Sequence, residues 1–343
     1  MRLGDRGHRD PDTPQLRALA ATRTTEYRVG CASWLDQSLL ASGRFYPSRA
    51  MTAEARLRWY ARFFDCVELN ATYYALPSPR NAHLWAQRTP PGFLFQVKAY
   101  SLMTGHHPRL DSLPAELRAM LPEHLPLRRH GEVDRQHFPL EALDQCFELF
   151  RAGLAPLADA RKLGYILFQL APWMRYSDRG LAYLASLPRR LPGWNVAVEF
   201  RHDSWVPARA TEILSFLAQH DLTFVALDCP WQPYLPAVTT PTWAVVRLHG
   251  RNLKGWLDQL AGKEPTVAEK YDYRYSGEEL AEIAQRVRAY HGTVRRVSVT
   301  FNNNKDDYPI VNALDLKRLL GLAGAEPPTG GEVAGSQEGV PRA

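Results

Sequence analysis

The sequence predicts a single (β/α)8 TIM barrel with a long insertion after its third strand and a mobile tail at each end. Three observations predict it. Eight short apolar runs recur along the 343 residues, most are separated by segments of helical period, and polar side chains gather where the runs end. Alternation of strand and helix implies a parallel sheet with helical crossovers. Eight such repeats favour a closed barrel over an open doubly wound sheet.

Composition agrees. The chain is 45% hydrophobic and 23% charged, the balance of an ordinary globular protein with ample core. No apolar run approaches membrane-spanning length, so no membrane partner is expected. The opening MRLGDRGHRDPDTPQ lacks a hydrophobic signal core, which predicts a cytoplasmic location. Cys31, Cys66, Cys146 and Cys229 are widely spaced without a CxxC pair, which argues against a disulfide framework or structural zinc. The net charge of +6 tolerates anionic partners without demanding nucleic acid.

Residues 1–25 are polar and aperiodic and predict a mobile tail; 323–343 predict another; 26–322 form the barrel. The strand-like runs are YRVGCA (27–32), DCVELN (65–70), FLFQVKA (93–99), GYILFQL (164–170), NVAVEF (195–200), LTFVALD (222–228), WAVVRLHG (243–250) and RRVSVTFNN (295–303). Thr52 caps a helix that places Leu57, Tyr60 and Phe64 on one face. Ser78-Pro79 opens the next helix. Further helices are predicted over 140–162, 178–187, 207–219, 276–290 and 312–320, with a capping box at Ser276 and Glu279. The Pro-rich stretch between Asp228 and Trp243 is irregular. Residues 104–139 form a loop after the third strand, long enough to be a lid or a decoration.

A barrel keeps its chemistry at the C-terminal rim. The strand ends bring Glu68 and Asn70, Gln96 and Lys98, Gln169, Glu199 and Arg201, Asp228, Arg247 with His249 and Arg251, and Asn302 with Asn303 and Asn304. Side chains two apart on a strand share a face, which groups Glu68 with Asn70, Glu199 with Arg201 and Arg247 with His249. His202, by the same parity, turns away from Glu199. Tyr73 and Trp205 supply aromatic walls, although core packing explains either equally well. Pairs such as Glu68 and Arg247 would also neutralise one another inside a barrel without any catalysis.

The residues also carry a resemblance. VGCASW (29–34), RFYPSR (44–49), FFDCVELNATYYALPSP (63–79), LFQLAPWM (167–174), VAVEFRHDSW (196–205), VVRLHGRN (245–252), YSGEEL (275–280) and FNNN (301–304) occur in order along the chain. Together they make it similar to domain-of-unknown-function family 72, the YecE-like proteins. The resemblance implies a TIM-barrel fold and brings no assigned activity. Asp306 and Asp307 depart from the family pattern and argue against a phosphate cradle in that loop.

The expected function is an enzyme of isomerase, lyase or hydrolase type, using acid/base chemistry on a small anionic or sugar-like molecule. Glu68, Glu199, His249 and Asp228 are the candidate catalytic groups. Asn70, Tyr73, Lys98, Gln169, Arg201, Trp205, Arg247, Arg251, Asn302 and Asn303 are the candidate binding groups, with the arginines suited to carboxylate or phosphate oxygens. No cofactor is required. A divalent metal, if used, would fall to Glu199, Asp228 and His249, a ligand order similar to that of xylose-isomerase-like barrels. Two alternatives differ in class. A nucleic-acid-binding or repair protein resembling endonuclease IV-like barrels would bind DNA or tRNA with a salt dependence weakened by Arg251→Ala. A non-catalytic ligand-binding protein would keep its function with Glu199→Gln.

Overall fold

The computed structural model describes residues 24–260 and 267–324. Eight strands, β1 (Glu26–Cys31), β2 (Cys66–Leu69), β3 (Leu94–Lys98), β4 (Leu163–Gln169), β5 (Val196–Glu199), β6 (Leu222–Asp228), β7 (Trp243–Leu248) and β8 (Arg296–Phe301), follow the eight apolar runs. Each hydrogen-bonded pair is parallel, and β1 pairs with β8. Helices α1 (Ala53–Tyr60), α2 (Pro79–Gln87), α3 (Leu140–Asp159), α4 (Asp178–Arg190), α5 (Ala210–Gln219), α6 (Gly277–Arg288) and α7 (Tyr308–Leu320) alternate with the strands. The result is a nearly closed (β/α)8 TIM barrel.

Local chemistry sets the helix ends. Thr52 Oγ1 accepts from Ala55 N at 3.1 Å, and the Ser276–Glu279 capping box closes from both sides at 3.2 and 2.9 Å. Two helices start three or more residues from where they were expected. α5 begins at Ala210 rather than 207. α7 begins four residues early, at Tyr308, with Pro309 in its first turn, where a missing N–H costs nothing. Residues 229–242, between β6 and β7, form no helix.

The seam between β1 and β2 is the weak point of closure. One bridge, Ala32 to Glu68, joins these strands, with Ser33 N donating to Glu68 O at 3.0 Å. They approach so closely at Gly30 that a Cβ there would stand 2.4 Å from the Cys66 carbonyl oxygen. Tyr60, from α1, fills the gap in the ladder. Its hydroxyl accepts from Cys31 N at 2.9 Å and donates to Cys66 O at 3.1 Å. Both backbone groups are buried and would otherwise be orphaned. Tyr60→Phe keeps the ring stacked on Phe64 but strips both bonds. It is expected to cost about 1–3 kcal/mol in urea unfolding. An unchanged midpoint would show that the seam does not depend on the hydroxyl.

Two cores follow from strand parity. Cys66, Leu94, Tyr165, Leu167, Ala197, Val225, Leu227, Trp243 and Val245 fill the barrel. Alternate residues join the larger core between strands and helices. Thr25, expected in the tail, is built into the barrel wall: it donates to Val294 O and accepts from Gly292 N, both at 2.9 Å. The rest of the predicted N-terminal tail, 1–23, lies outside the described residues, as does 325–343. The insertion is packed rather than bare. Leu113, Leu117 and Val133 are buried, and Val133 N donates to Pro108 O at 2.8 Å. No described helix is long and apolar enough to cross a membrane.

Candidate functional site

Arg247, pointing inward from β7, crosses the barrel to β2. Its Nε and Nη2 donate to the two oxygens of Glu68 at 2.9 and 2.6 Å, a bidentate fork. Its Nη1 donates to Glu199 of β5 and lies 3.4 Å from Gln169 Oε1 of β4. Glu199 also accepts from Arg201 Nε. His249 places Nε2 3.3 Å from Arg201 Nη2 and 3.4 Å from Arg247 Nη1; its Nδ1 lies 3.0 Å from the Asn302 amide. Glu68, Glu199, Arg247 and His249 are all 0% exposed. Charges so far from water persist only because each is matched, two carboxylates against two guanidiniums.

The electrostatics follow from that matching. Burial alone would raise the Glu199 carboxyl, but the guanidiniums of Arg201 and Arg247 outweigh it and hold the group well below the ordinary carboxylate range. Burial opposes the charge of Arg247, yet Glu199 and Glu68 make it still harder to deprotonate. Burial, and then the charge of Arg201, pushes the His249 imidazole down to about 3, so the ring is neutral. Its Nδ1 faces the Asn302 Nδ2 donor, and its Nε2 lies between the two guanidiniums and Glu199 Oε1, 3.7 Å away. Trp231, from the irregular segment after β6, covers the pair: its ring centre is 5.5 Å from that of His249 and 5.0 Å from the Arg201 guanidinium.

Above this network lies a cavity of about 760 Å³, lined by Asn70, Tyr73, Lys98, Gln169, Asn302 and Asn304, among others. Gln169 and Asn302 belong to both layers and form the floor. Lys98, on β3, stands with Nζ 4.5 Å from the Tyr73 ring centre. Its amine makes no hydrogen bond or ion pair among the described residues. Burial, and then the charge of Arg247, pushes it down to about 8. The Asn70 Oδ1 is buried without a hydrogen-bond partner. The insertion reaches this rim through His106, whose ring packs edge-on against Tyr73 and Trp173 at 5.1 and 5.4 Å.

Of the residues predicted from sequence, Asn70, Tyr73, Lys98, Gln169 and Asn302 line the cavity. Glu68, Glu199, Arg201, Arg247 and His249 meet in the network beneath it. Four are elsewhere. Asp228 falls on the opposite parity from Val225 and Leu227, so it leaves the barrel interior and faces the helix layer. There it accepts from Tyr275 at 2.9 Å, from Arg251 at 2.9 and 2.7 Å and from Arg286 at 3.3 Å. Arg251 is held in the same cluster by Glu279 and Glu282. Trp205 is core: it is 0% exposed, stacks on Phe200 and donates to Met174 O at 2.8 Å. Asn303 ties Tyr273 O to Asn312, at 2.8 and 3.1 Å, below the loop. Glu199, Asp228 and His249 therefore do not converge. Among the described residues no group of three or more His, Cys, Asp or Glu side chains is arranged to hold a metal ion. Asn304, read at the rim beside Asn302 and Asn303 but not among the binding groups, also lines the cavity; Trp231 was not predicted as a site residue. The one signal for Trp231 is a tryptophan in a Pro-rich loop after a barrel strand.

The sequence model of the family described as "Protein of unknown function DUF72" matches residues 28–335. The UPF0759 protein YunF of Bacillus subtilis is 28% identical over 300 residues, covering 86% of this chain and 94% of its own. A DUF72 family protein of Thermotoga maritima superposes with a TM-score of 0.65 at 28% identity, covering 86% of this chain and 99% of its own. One from Enterococcus faecalis gives a TM-score of 0.69 at 24% identity, covering 87% and 96%; that likeness concerns the fold.

Proposed function

The chain belongs to the DUF72 family, and on that premise we propose an enzyme that works by acid/base chemistry at the C-terminal mouth of its barrel on a small anionic or sugar-like molecule. One observation carries the reading: the Lys98 amine faces the cavity without a partner of its own among the described residues, above a cluster whose charges already balance. A lysine pushed down to about 8 exchanges its proton near neutral pH, as a general acid or base must. Glu68, Glu199 and His249 take another part. They are committed to Arg247 and Arg201, and they fix the field around the amine rather than meeting the substrate. Amides at Asn70, Gln169, Asn302 and Asn304 supply donors and acceptors suited to hydroxyl groups. An incoming anion supplies the counter-charge that Lys98 lacks.

The test is a thermal-shift screen of sugars, sugar phosphates and hydroxy acids. A compound that stabilises the native protein is expected to lose roughly 10- to 100-fold in affinity with Lys98→Met, the cost of one hydrogen bond to a charged group. Gln169→Ala is expected to weaken it less. Binding should take up protons near pH 8, visible by calorimetry in buffers of different ionisation enthalpy. A compound that binds both variants as well as the native protein would count against the site.

A further inference from the structure

The geometry points to Lys98 as a nucleophile that condenses with the carbonyl of a hydroxylated aldehyde or ketone to form an imine, an inference that rests on the site proposed above. Lysine inside a protein ordinarily sits against a carboxylate. Here the candidates are taken: Glu68 is held by both nitrogens of the Arg247 fork, and Glu199 is shared by Arg247 and Arg201. Two carboxylates and two guanidiniums sum to zero, so an ammonium at Lys98 is the uncompensated charge of the group. The neutral amine is the form such a setting favours, and it is the form that attacks carbonyl carbon.

The placement fits that step. β3 lies between β2 and β4 in the barrel, so Lys98 rises between Asn70 and Gln169, both lining the same cavity. The amine stands over the face of Tyr73 rather than against an acceptor. That face attracts a cation without taking a proton, so it accommodates an iminium as well as an ammonium. Asn70 Oδ1, buried and unpartnered, is an acceptor for a substrate hydroxyl beside the reacting carbon.

The step balances without an oxidant or reductant. Written from the ammonium, R–NH3+ and O=CR′2 give R–NH+=CR′2 and H2O. The C=O bond is replaced by C=N, two N–H protons leave with the oxygen as water, and one positive charge is conserved. The iminium then withdraws electrons from the neighbouring carbon, which is what proton abstraction, isomerisation or carbon–carbon cleavage beside a carbonyl requires. An acidic group on the substrate would balance the retained charge.

The experiment uses the full chain, with glyceraldehyde as the neutral probe and pyruvate as the anionic one. Each is incubated at pH 6 and pH 8, reduced with borohydride and mapped by peptide mass spectrometry. The adduct is expected on Lys98 at about tenfold or more over the exposed Lys254, rising from pH 6 to pH 8 and saturating with probe. Preference for pyruvate over glyceraldehyde would add the anionic requirement. Equal labelling of Lys98 and Lys254 overturns the imine. If that result accompanies reversible ligand binding that Lys98→Met abolishes, the acid/base reading stands alone. If Lys98→Met also leaves binding untouched, both fall. The comparison between two lysines of the native protein does not depend on any variant folding.

Discussion

Replacing Arg247 by Met lowers the stability of the fold by about 3–5 kcal/mol at neutral pH. The side chain is 0% exposed and binds carboxylates on both sides. Methionine fills most of the space but carries no charge. Glu199 retains Arg201; Glu68 is left buried without a counter-ion, a state relieved by taking up a proton or opening the barrel mouth to water. The size of the effect comes from that stranded carboxylate, not from an intrinsic strength of the ion pair. Adding Glu68→Met to Arg247→Met should therefore recover a substantial part of the loss, with the coupling read from a double-mutant cycle.

The pH dependence carries the sign. Glu199 is held below the ordinary carboxylate range in the folded protein. It contributes stability that is fully present above its unfolded value of about 4.3 and is lost as pH falls through the lower folded value. The native protein thus loses stability on acidification, while protonating the stranded carboxylate relieves Arg247→Met. The gap between them is expected to be widest at pH 7 and to narrow by pH 4, in urea unfolding at several pH values. A gap below about 1 kcal/mol, the scale of an exposed pair, or one independent of pH, would mean that water reaches the network.

The fold was legible because barrel strands are short, apolar and regularly spaced, and each of the eight runs carries that signal alone. The site was legible only where parity was applied. Arg247, His249, Glu199 and Arg201 lie two apart on their strands, and the structure keeps them on one side. Asp228 ends a strand whose Leu227 and Val225 point inward, so the same rule places it outside, bound to Arg251 and Arg286. Its carboxylate had suggested chemistry that its register denies. Trp205 resembled a wall because it follows the strand end; its burial against Phe200 and Gly180 depends on packing that no local pattern encodes. Division of labour was not visible either. Which charges neutralise one another, and which is left over, depends on distances across the barrel between strands more than a hundred residues apart, such as the 2.6 Å contact of Arg247 with Glu68.

Lys98→Met is expected to make the protein more stable while weakening binding at the proposed site roughly 10- to 100-fold. The amine is pushed down to about 8 from its ordinary value of 10.5. The unfolded chain therefore holds the proton more tightly than the folded one, and keeping a charged Lys98 costs about 2–3 kcal/mol at pH 7. That cost is fully present below pH 8. It shrinks as pH rises toward the unfolded value of about 10.4 and is gone above it, because the residue is then neutral in both states. Methionine is unbranched and preserves contact with Tyr73. The variant should exceed the native protein in urea midpoint at pH 7 and converge with it by about pH 10.5. Destabilisation at pH 7, or a difference that ignores pH, would show that the amine has a counter-charge. The opposite mutational signs at Arg247 and Lys98 separate their roles. The fold needs Arg247 because two carboxylates depend on it. It would be more stable without Lys98, the sign expected of a residue that serves the ligand proposed above rather than the fold.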